Sequence, residues 1–423
     1  MNVIRRKKAA QPISPQPPVY DLKRMSLLIA LGWLGTNLGI AVADLPLRFL
    51  LKDDLHLTPQ SISAFFALGA FTNYIKPIAG LLTDSIPLFG TRRRHYLVLS
   101  LLGSGLLWLL LSIVPRTYYS LLSTYAVLYM TIVFTSTTLG GVMVEVGTLY
   151  GAAGRLTAQR IGMFRLASLA GGPIGGALAS SPFAIAMCAA AALHLVLIPL
   201  YLRGLREAPA SVPARRVWPE ARAQWGVLIR SKTLLSAAGM ICLVAVAPGF
   251  GTPLLFHQTD NLHFTKQFIG NLVLVSAGSG LIGAYVYHAL CRNLRLRVLL
   301  TGSIIVHAAG TVFFLGYHSH ASALGITAIT GITGTLATLP IYDLAARATP
   351  RGSEALGYAV MMSVWNLTNA VSDWCGSYLY GRFHLTFLSL VWLNAGTTAL
   401  ALLAVPFLPV ALILGRDGPA DPE

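Results

Sequence analysis

Apolar runs of roughly 20 residues, the length a helix needs to cross a bilayer, recur along nearly the whole of this sequence. That recurrence leaves few folds open. Of the residues, 55% are hydrophobic and only 11% charged, against about 25% charged in ordinary soluble domains. Part of any globule must face water, so a soluble fold of this length could not hide so much apolar surface. A soluble enzyme is excluded. The opening residues, MNVIRRKKAAQPISPQPP, are basic and then proline-rich. No apolar run precedes a small-residue cleavage site, so the expectation is no signal peptide and a mature start at Met1. Cys188, Cys242, Cys291 and Cys375 are scattered, without metal or redox spacing, and read as helix-packing residues.

A formal charge of +16 invites a nucleic-acid role, but its placement argues for topology. About 23 of the 31 Lys and Arg fall in one alternate set of connections. These are Arg5, Arg6, Lys7, Lys8, Lys23 and Arg24, then Arg92, Arg93, Arg94 and Arg155, the segment Arg203 to Lys232, and Arg292, Arg295, Arg297, Arg347, Arg351 and Arg416. The opposite set carries only Arg48, Lys52, Arg116, Lys266 and Arg382. Basic residues collect on the cytoplasmic side of membrane proteins, so both termini are expected there, in a cell (inner or plasma) membrane protein of many passes. No nucleic-acid partner is expected; the lipid bilayer is.

The expected spans are 27–50, 58–83, 96–114, 120–150, 157–178 and 182–202, then 234–256, 266–290, 298–316, 321–346, 353–380 and 385–413. The longest polar stretch, REAPASVPARRVWPEARAQWGVLIRSK, divides them six and six and reads as a cytoplasmic linker, with room for an amphipathic helix lying on the membrane. The domain reading is therefore a cytoplasmic tail over 1–24, a six-helix bundle over 25–204, a linker over 205–232, a second six-helix bundle over 233–413 and a tail over 414–423. Six, linker, six is the arrangement of the major facilitator architecture, an all-α membrane fold of 12 transmembrane helices in two bundles.

The halves echo each other faintly. RRRHYLVLSLLGS after span 2 resembles RNLRLRVLLTGS after span 8. Glu145 before Gly154 and Arg155 matches Asp343 before Arg351 and Gly352. Span 5 carries GGPIGG, span 8 SAGSGLIG and span 10 GITAITGITG. Small residues let helix backbones approach in lipid, so these stretches mark either plain packing or a moving interface between halves. Pro77, Pro173, Pro248 and Pro253 interrupt other helices, which is tolerable where a cavity or a neighbour restores the hydrogen bonds.

Charge inside hydrocarbon costs about 2.5 to 3.5 kcal/mol per residue on insertion scales, so each case calls for a reason. At 1.5 Å per residue, Arg165 falls roughly 13 Å into span 5, near the midplane, and Lys76 lies roughly 12 Å above Asp84. Glu145 and Asp343 lie nearer the cytoplasmic ends of spans 4 and 10, and Asp44 and Asp373 toward the outer ends of spans 1 and 11. Two readings stand. Either these residues pair with one another, or Arg165 and Lys76 attract an anionic substrate while a carboxylate such as Glu145 exchanges protons. The stretch GLLTDSIPLFGTRRRHYL puts an acid, a glycine turn and a basic cluster between spans 2 and 3. It reads as a cytoplasmic latch, in which Asp84 pairs with cations or a helix N-terminus and Arg92, Arg93 and Arg94 bridge to the other half.

That region, YIKPIAGLLTDSIPLFGTRRRHYLVLS, resembles the signature of the folate–biopterin transporter family, a branch of the major facilitator superfamily. FLLKDDLHLTP, TPLLFHQTDNLHFTKQFIGN and LPIYDLAARATPRGSEALGYAVMMSVWNLTNAVSDWCGSYL resemble it too, so the likeness covers most of the chain. It implies transport of folates or pterins. The positions that match are Lys76, Pro77, Gly80, Asp84, Gly90, Arg92, Arg93, Glu145, Arg165, Pro350, Gly352, Glu354, Asn366 and Asp373. One position departs. Where the family usually carries an aspartate, about five residues before the glutamate of span 4, this chain has Gly140. That puts folate specificity in question and leaves the transporter class untouched.

The expected function is a secondary active transporter that moves a folate- or pterin-type organic anion by alternating access, inward with protons. Arg165, Lys76, Glu145, Trp33, Tyr74 and Asn366 form the expected substrate set. Asp84, Arg92, Arg93, Arg94, Asp44, Asp343, Glu354 and Asp373 form the coupling and gating set. Trp33, Tyr74, Phe134 and Trp365 could stack on a pterin or simply pack. No Gly-Lys-Ser/Thr phosphate loop occurs, so ATP is not expected as the direct energy source, and no His-Glu or Cys-rich metal spacing occurs, so no cofactor is expected. The alternatives are a facilitator for another bulky anion of muropeptide or siderophore type, a non-transporting receptor, or a membrane enzyme. The last lacks a clustered catalytic set.

Overall fold

The computed structural model describes residues 21–207, 217–291, 293–350 and 353–413. Most of both expected tails, part of the linker, Arg292, Arg351 and Gly352 lie outside the described residues, as do the side chains of Asp84 and Glu354. Apart from one isolated bridge between Leu88 and Thr91, the described secondary structure is helical. The first half contains α1 (Leu22–Phe49), α2 (Pro59–Gly69), α3 (Lys76–Ser85), α4 (Arg94–Ile113), α5 (Tyr118–Leu149), α6 (Ala153–Leu178), α7 (Phe183–Leu195) and α8 (Leu197–Gly204). After α9 (Val217–Arg230) follow α10 (Lys232–Ala245), α11 (Gly251–Phe256), α12 (Lys266–Cys291), α13 (Leu296–Val312), α14 (His320–Ala348), α15 (Glu354–Arg382), α16 (Phe387–Leu400) and α17 (Val410–Ile413).

Local chemistry starts these helices where the sequence offers caps. Thr58, Thr117, Ser231, Ser319 and Thr386 each accept a backbone N–H at the start of α2, α5, α10, α14 and α16. That satisfies one of the four donors a helix N-terminus leaves orphaned. Among the described residues nine helices are long and apolar enough to cross a membrane, or ten if the pair Arg222–Arg230 and Lys232–Ala245, bent by 70°, is one span. The twelve expected spans are not all present as continuous apolar helices. Expected span 2 is broken into α2 and α3, and expected span 7 into α10 and α11. Expected span 11 is one unbroken helix, α15, but Asn366, Asn369, Ser372 and Asp373 make its middle polar.

The breaks are built, not frayed. Between α2 and α3 a short 3₁₀ turn carries the chain, and the Tyr74 hydroxyl donates to the Ala67 carbonyl at 2.7 Å. Pro77 follows in the first turn of α3, where a missing N–H costs nothing. Between α10 and α11 the chain is laced to α15. Gly249 N–H donates to the Ser372 carbonyl at 2.8 Å, and the Ser372 hydroxyl donates to the Ala247 carbonyl at 2.6 Å. Asp373 caps α11, accepting from Thr252 N–H at 2.9 Å and from the Thr252 hydroxyl at 2.6 Å. Gly376 makes this possible, because a Cβ there would run into the Gly249 carbonyl. Gly376→Ala is therefore expected to remove most folded protein, since backbone cannot yield as a side chain can; yield and monodispersity on size-exclusion chromatography would test it.

Toward the end nearest residue 21 the buried apolar clusters stay unmixed, although α3 touches α15 and α9, and at the far end the halves share a cluster. One buried apolar cluster draws only on 25–205 and another only on 228–412. A mixed cluster joins Leu45 and Phe49 to Leu255, Phe264, Ile269 and Leu272, beside the turns that follow α1 and α11. Toward that end α6 and α12 meet backbone to backbone. A Cβ on Gly172 would lie 2.6 Å from the Gly270 carbonyl, and one on Gly270 would strike the Gly172 carbonyl. The GGPIGG stretch thus packs across the halves, where only small residues allow so close an approach.

Candidate functional site

Arg165 on α6 reaches into the other half. Its Nη2 donates to the Thr335 hydroxyl of α14 at 3.2 Å, and Gly280 of α12 leaves room for the guanidinium, from which a Cβ would stand 3.1 Å away. Arg160, on the same helix, lies over the ring of Trp33 in α1 with its Cζ 4.3 Å from the ring centre. The charge of Arg160 also faces Tyr342 of α14 and Tyr358 of α15, and Tyr342 faces Arg165 as well. Lys76, at the first position of α3, lies within electrostatic reach of Arg160. Tyr342 in turn meets Trp365 edge to face, with centroids 5.9 Å apart. Three cations and four aromatic side chains from both halves therefore converge.

Among the described residues no acid forms an ion pair with Lys76, Arg160 or Arg165. All three are half-buried. Lys76 also begins a half-helix, whose N-terminus carries partial positive charge, and broken helices in membranes commonly aim such ends at an anion. The cluster can bind a planar anion. Its guanidinium groups supply fork-shaped donors for carboxylates, and its rings supply stacking surface.

The other expected residues separate into several environments. Glu145 is exposed and makes no ion pair among the described residues. It stands one turn beyond Gly141, against which the Arg93 guanidinium packs. Asn366 is half-buried beside Trp365. Trp33 is 5% exposed and its ring is covered by Arg160. Tyr74 spends its hydroxyl on the helix break. Phe134 stacks on Tyr96 at 6.3 Å. A Cβ at Gly140 would meet nothing within 4 Å.

Three carboxylates of the expected gating set, Asp44, Asp343 and Asp373, have partners within their own half. Asp44 accepts from Arg48 at 2.9 Å, and Asp343 from Arg347 at 2.8 Å, each one turn along its own helix. Asp373 is the cap of α11. Arg92 is half-buried. Arg93 and Arg94 donate their backbone N–H groups to Glu207 at 3.0 and 3.3 Å, and Arg93 also reaches the Thr83 hydroxyl at 3.5 Å. These described bonds run to the start of the linker and to the first half, and bridging to the second half remains the expectation for the cluster. The turn before them depends on Gly90, whose φ of 77° suits glycine.

Two features escaped the sequence reading. The first is Arg160 with Tyr342, Tyr358 and Thr335. A signal existed: with the loop cations of both sides set aside, the Lys and Arg that remain are Lys76, Arg160 and Arg165. The second is a clamp at the far end. Both α1 and α11 run into a π-helical turn, Leu50–Asp54 and His257–Asn261, and each turn leads to a left-handed histidine, His56 and His263, both with φ 51°. Lys52 of the first half pairs with Asp260 at 2.6 Å and lies 4.9 Å over the ring of Phe256. Lys266 of the second half pairs with Asp53 at 2.9 Å and lies 4.5 Å over Phe49. Each half thus offers a phenylalanine and an aspartate at matching positions to a lysine of the other.

Known proteins resemble the chain at three levels. The profile of the BT1 family matches residues 38–198 and 214–414. A folate-biopterin transporter of Synechocystis is 29% identical over 392 residues, spanning 87% of this chain and 78% of that protein. Folate transporter 2 of Plasmodium falciparum is 25% identical over 386 residues, spanning 87% and 84%. Among solved structures, a D-xylose-proton symporter superposes with a TM-score of 0.67 at 14% identity, covering 92% of this chain and 98% of that one. A POT-family peptide transporter reaches 0.68 at 13% identity, covering 95% and 98%. At such identities the structural likeness speaks for the fold alone.

Proposed function

We propose, on the premise that this chain belongs to the BT1 family, that it carries a folate- or pterin-type organic anion between the two halves of its fold. Membership makes the protein a multi-pass secondary transporter of the folate–biopterin transporter family, and not an enzyme. Its all-α, multi-spanning fold resembles the major facilitator transporters. With the broken pairs α2–α3 and α10–α11 and the polar α15 each taken as one crossing, the spans become twelve, in two bundles of six about the linker. The basic connections support cytoplasmic termini.

The observation that carries the substrate class is the meeting of Arg160, Arg165 and Lys76 with Tyr342, Tyr358 and Trp365 across the halves. A pterin ring suits the aromatic wall, and a glutamate tail suits the cations. The clamped far end and the unmixed cores of the near end support an inward-facing state. In alternating access the clamp releases, the near end closes, and the cluster faces the other side. Carrying a dianion inward against roughly 100 mV costs about 4.6 kcal/mol, at about 2.3 kcal/mol per charge. Coupling to protons or to a counter-moving anion must offset that.

Folate added to the detergent-purified protein should raise its melting temperature by several degrees. A ligand at about 100 times its Kd adds about 2.7 kcal/mol of stability, and each kcal/mol moves a melting point by roughly 2 to 4 °C in a larger domain. Folates and pterins without effect, beside a shift from muropeptides or siderophores, would replace the substrate class while leaving the fold and the transport role in place.

A further inference from the structure

We propose that the protein is an obligate anion exchanger, in which the halves reorient only while the Lys76–Arg160–Arg165 cluster holds an anion. Each anion carried one way is then matched by one carried back. The proposal rests on the cluster being the substrate site, and it adds how transport is driven.

The case lies in where the carboxylates are. Asp44 is held by Arg48, Asp343 by Arg347, Asp53 by Lys266 and Asp260 by Lys52. Asp373 is spent on the cap of α11. Arg165, by contrast, bonds a neutral hydroxyl and Arg160 lies on a ring face, and neither makes an ion pair among the described residues. Glu145, the expected proton carrier, is exposed and pairs with none of the three cations.

Between the two facing states both ends must close, and the cluster must lose water. Uncompensated charge in that setting is penalised heavily, whereas a paired charge is penalised far less. A proton-coupled carrier crosses this step empty because an internal acid neutralises its cations. Here no described acid is placed to do so, and the substrate is the available counter-ion. An empty carrier is therefore trapped, and a loaded one moves in either direction. Exchange of anions of equal charge also feels no membrane potential.

The test is uptake of radiolabelled folate by liposomes holding the purified full-length protein. The lumen contains buffer alone, unlabelled folate, or buffer under an inside-alkaline gradient. Unlabelled folate inside should speed initial uptake at least about tenfold over both other arms, given the penalty on bare charge in hydrocarbon. Thr335→Asp, which sets a carboxylate beside Arg165, should raise uptake into empty vesicles and bring the loaded-to-empty ratio toward about one. Folate binding to the same preparation, measured by isothermal titration, keeps the two ideas apart. Binding with no gain on loading, or with equal uptake under the pH gradient, overturns exchange and leaves the site standing. Absent binding refutes the site, and exchange falls with it.

Discussion

Arg160→Ala should lower high-affinity anion uptake by about a hundredfold, because deleting one partner of a buried charge pair costs about 2 to 5 kcal/mol and every 1.4 kcal/mol is tenfold. The loss is expected in affinity first, with the protein still folded. Arg160 makes no ion pair among the described residues, and its ring contact with Trp33 is worth about 0.5 to 2 kcal/mol. Arg160→Lys should recover part of the binding, since the charge returns without the planar fork that matches a carboxylate. Arg165→Ala should behave similarly and lose, in addition, its hydrogen bond to Thr335 across the halves. Uptake at several folate concentrations would separate affinity from turnover. Unchanged uptake in Arg160→Ala, with normal expression, would remove that residue from the site.

Lys52→Glu should abolish most transport by a different route. The replacement would bring a third acid against Asp53 and Asp260, which lie 3.8 and 2.6 Å from the present ammonium. Like charges so placed cost several kcal/mol, so the far end should fail to close. Binding from the open side should survive, because the cluster is untouched. Restoring opposite charges with Lys52→Glu and Asp260→Lys together should return a large part of the activity. Exposed ion pairs are worth about 0 to 1 kcal/mol, but the Lys52 side chain is only 12% exposed and is also held over Phe256. If the single and double variants transport alike, the clamp plays no part in closure.

Much of the architecture was legible because hydrocarbon admits so few solutions. Apolar runs, a polar linker and alternating basic connections were enough to place most helices within a few residues. The breaks were half legible. Pro77, Pro248 and Pro253 flagged interruption, but the lacing of Gly249 to Ser372 and of Thr252 to Asp373 joins residues more than 120 positions apart, and no periodicity reports such a contact. Asp373 shows the consequence: read from the sequence as a gating acid, it also closes the N-terminus of α11, a contact the sequence did not report.

The site was legible in part for a related reason. Depth along a helix singled out Lys76 and Arg165, but depth alone does not give direction, and Arg160 lies closer to the start of its span. Its importance comes from Tyr342 and Tyr358 in the opposite half, a pairing that only the folded interface creates. The clamp was hidden differently. FLLKDDLH and FHQTDNLH share Phe, Asp, Leu and His at the same spacing, yet their cations, Lys52 and Lys266, sit at unmatched positions, so the repeat was easy to miss.

On the proposed account, deep cations persist in this apolar fold because a negatively charged cargo stands where a carboxylate otherwise would. A cryo-electron microscopy structure of the protein with bound folate tests that most directly. Carboxylate oxygens of the ligand should lie within hydrogen-bonding distance of Arg160 and Arg165, with the pterin beside Tyr342 or Trp365. Folate bound elsewhere, with Arg160 still over Trp33 and Arg165 still on Thr335, would contradict it.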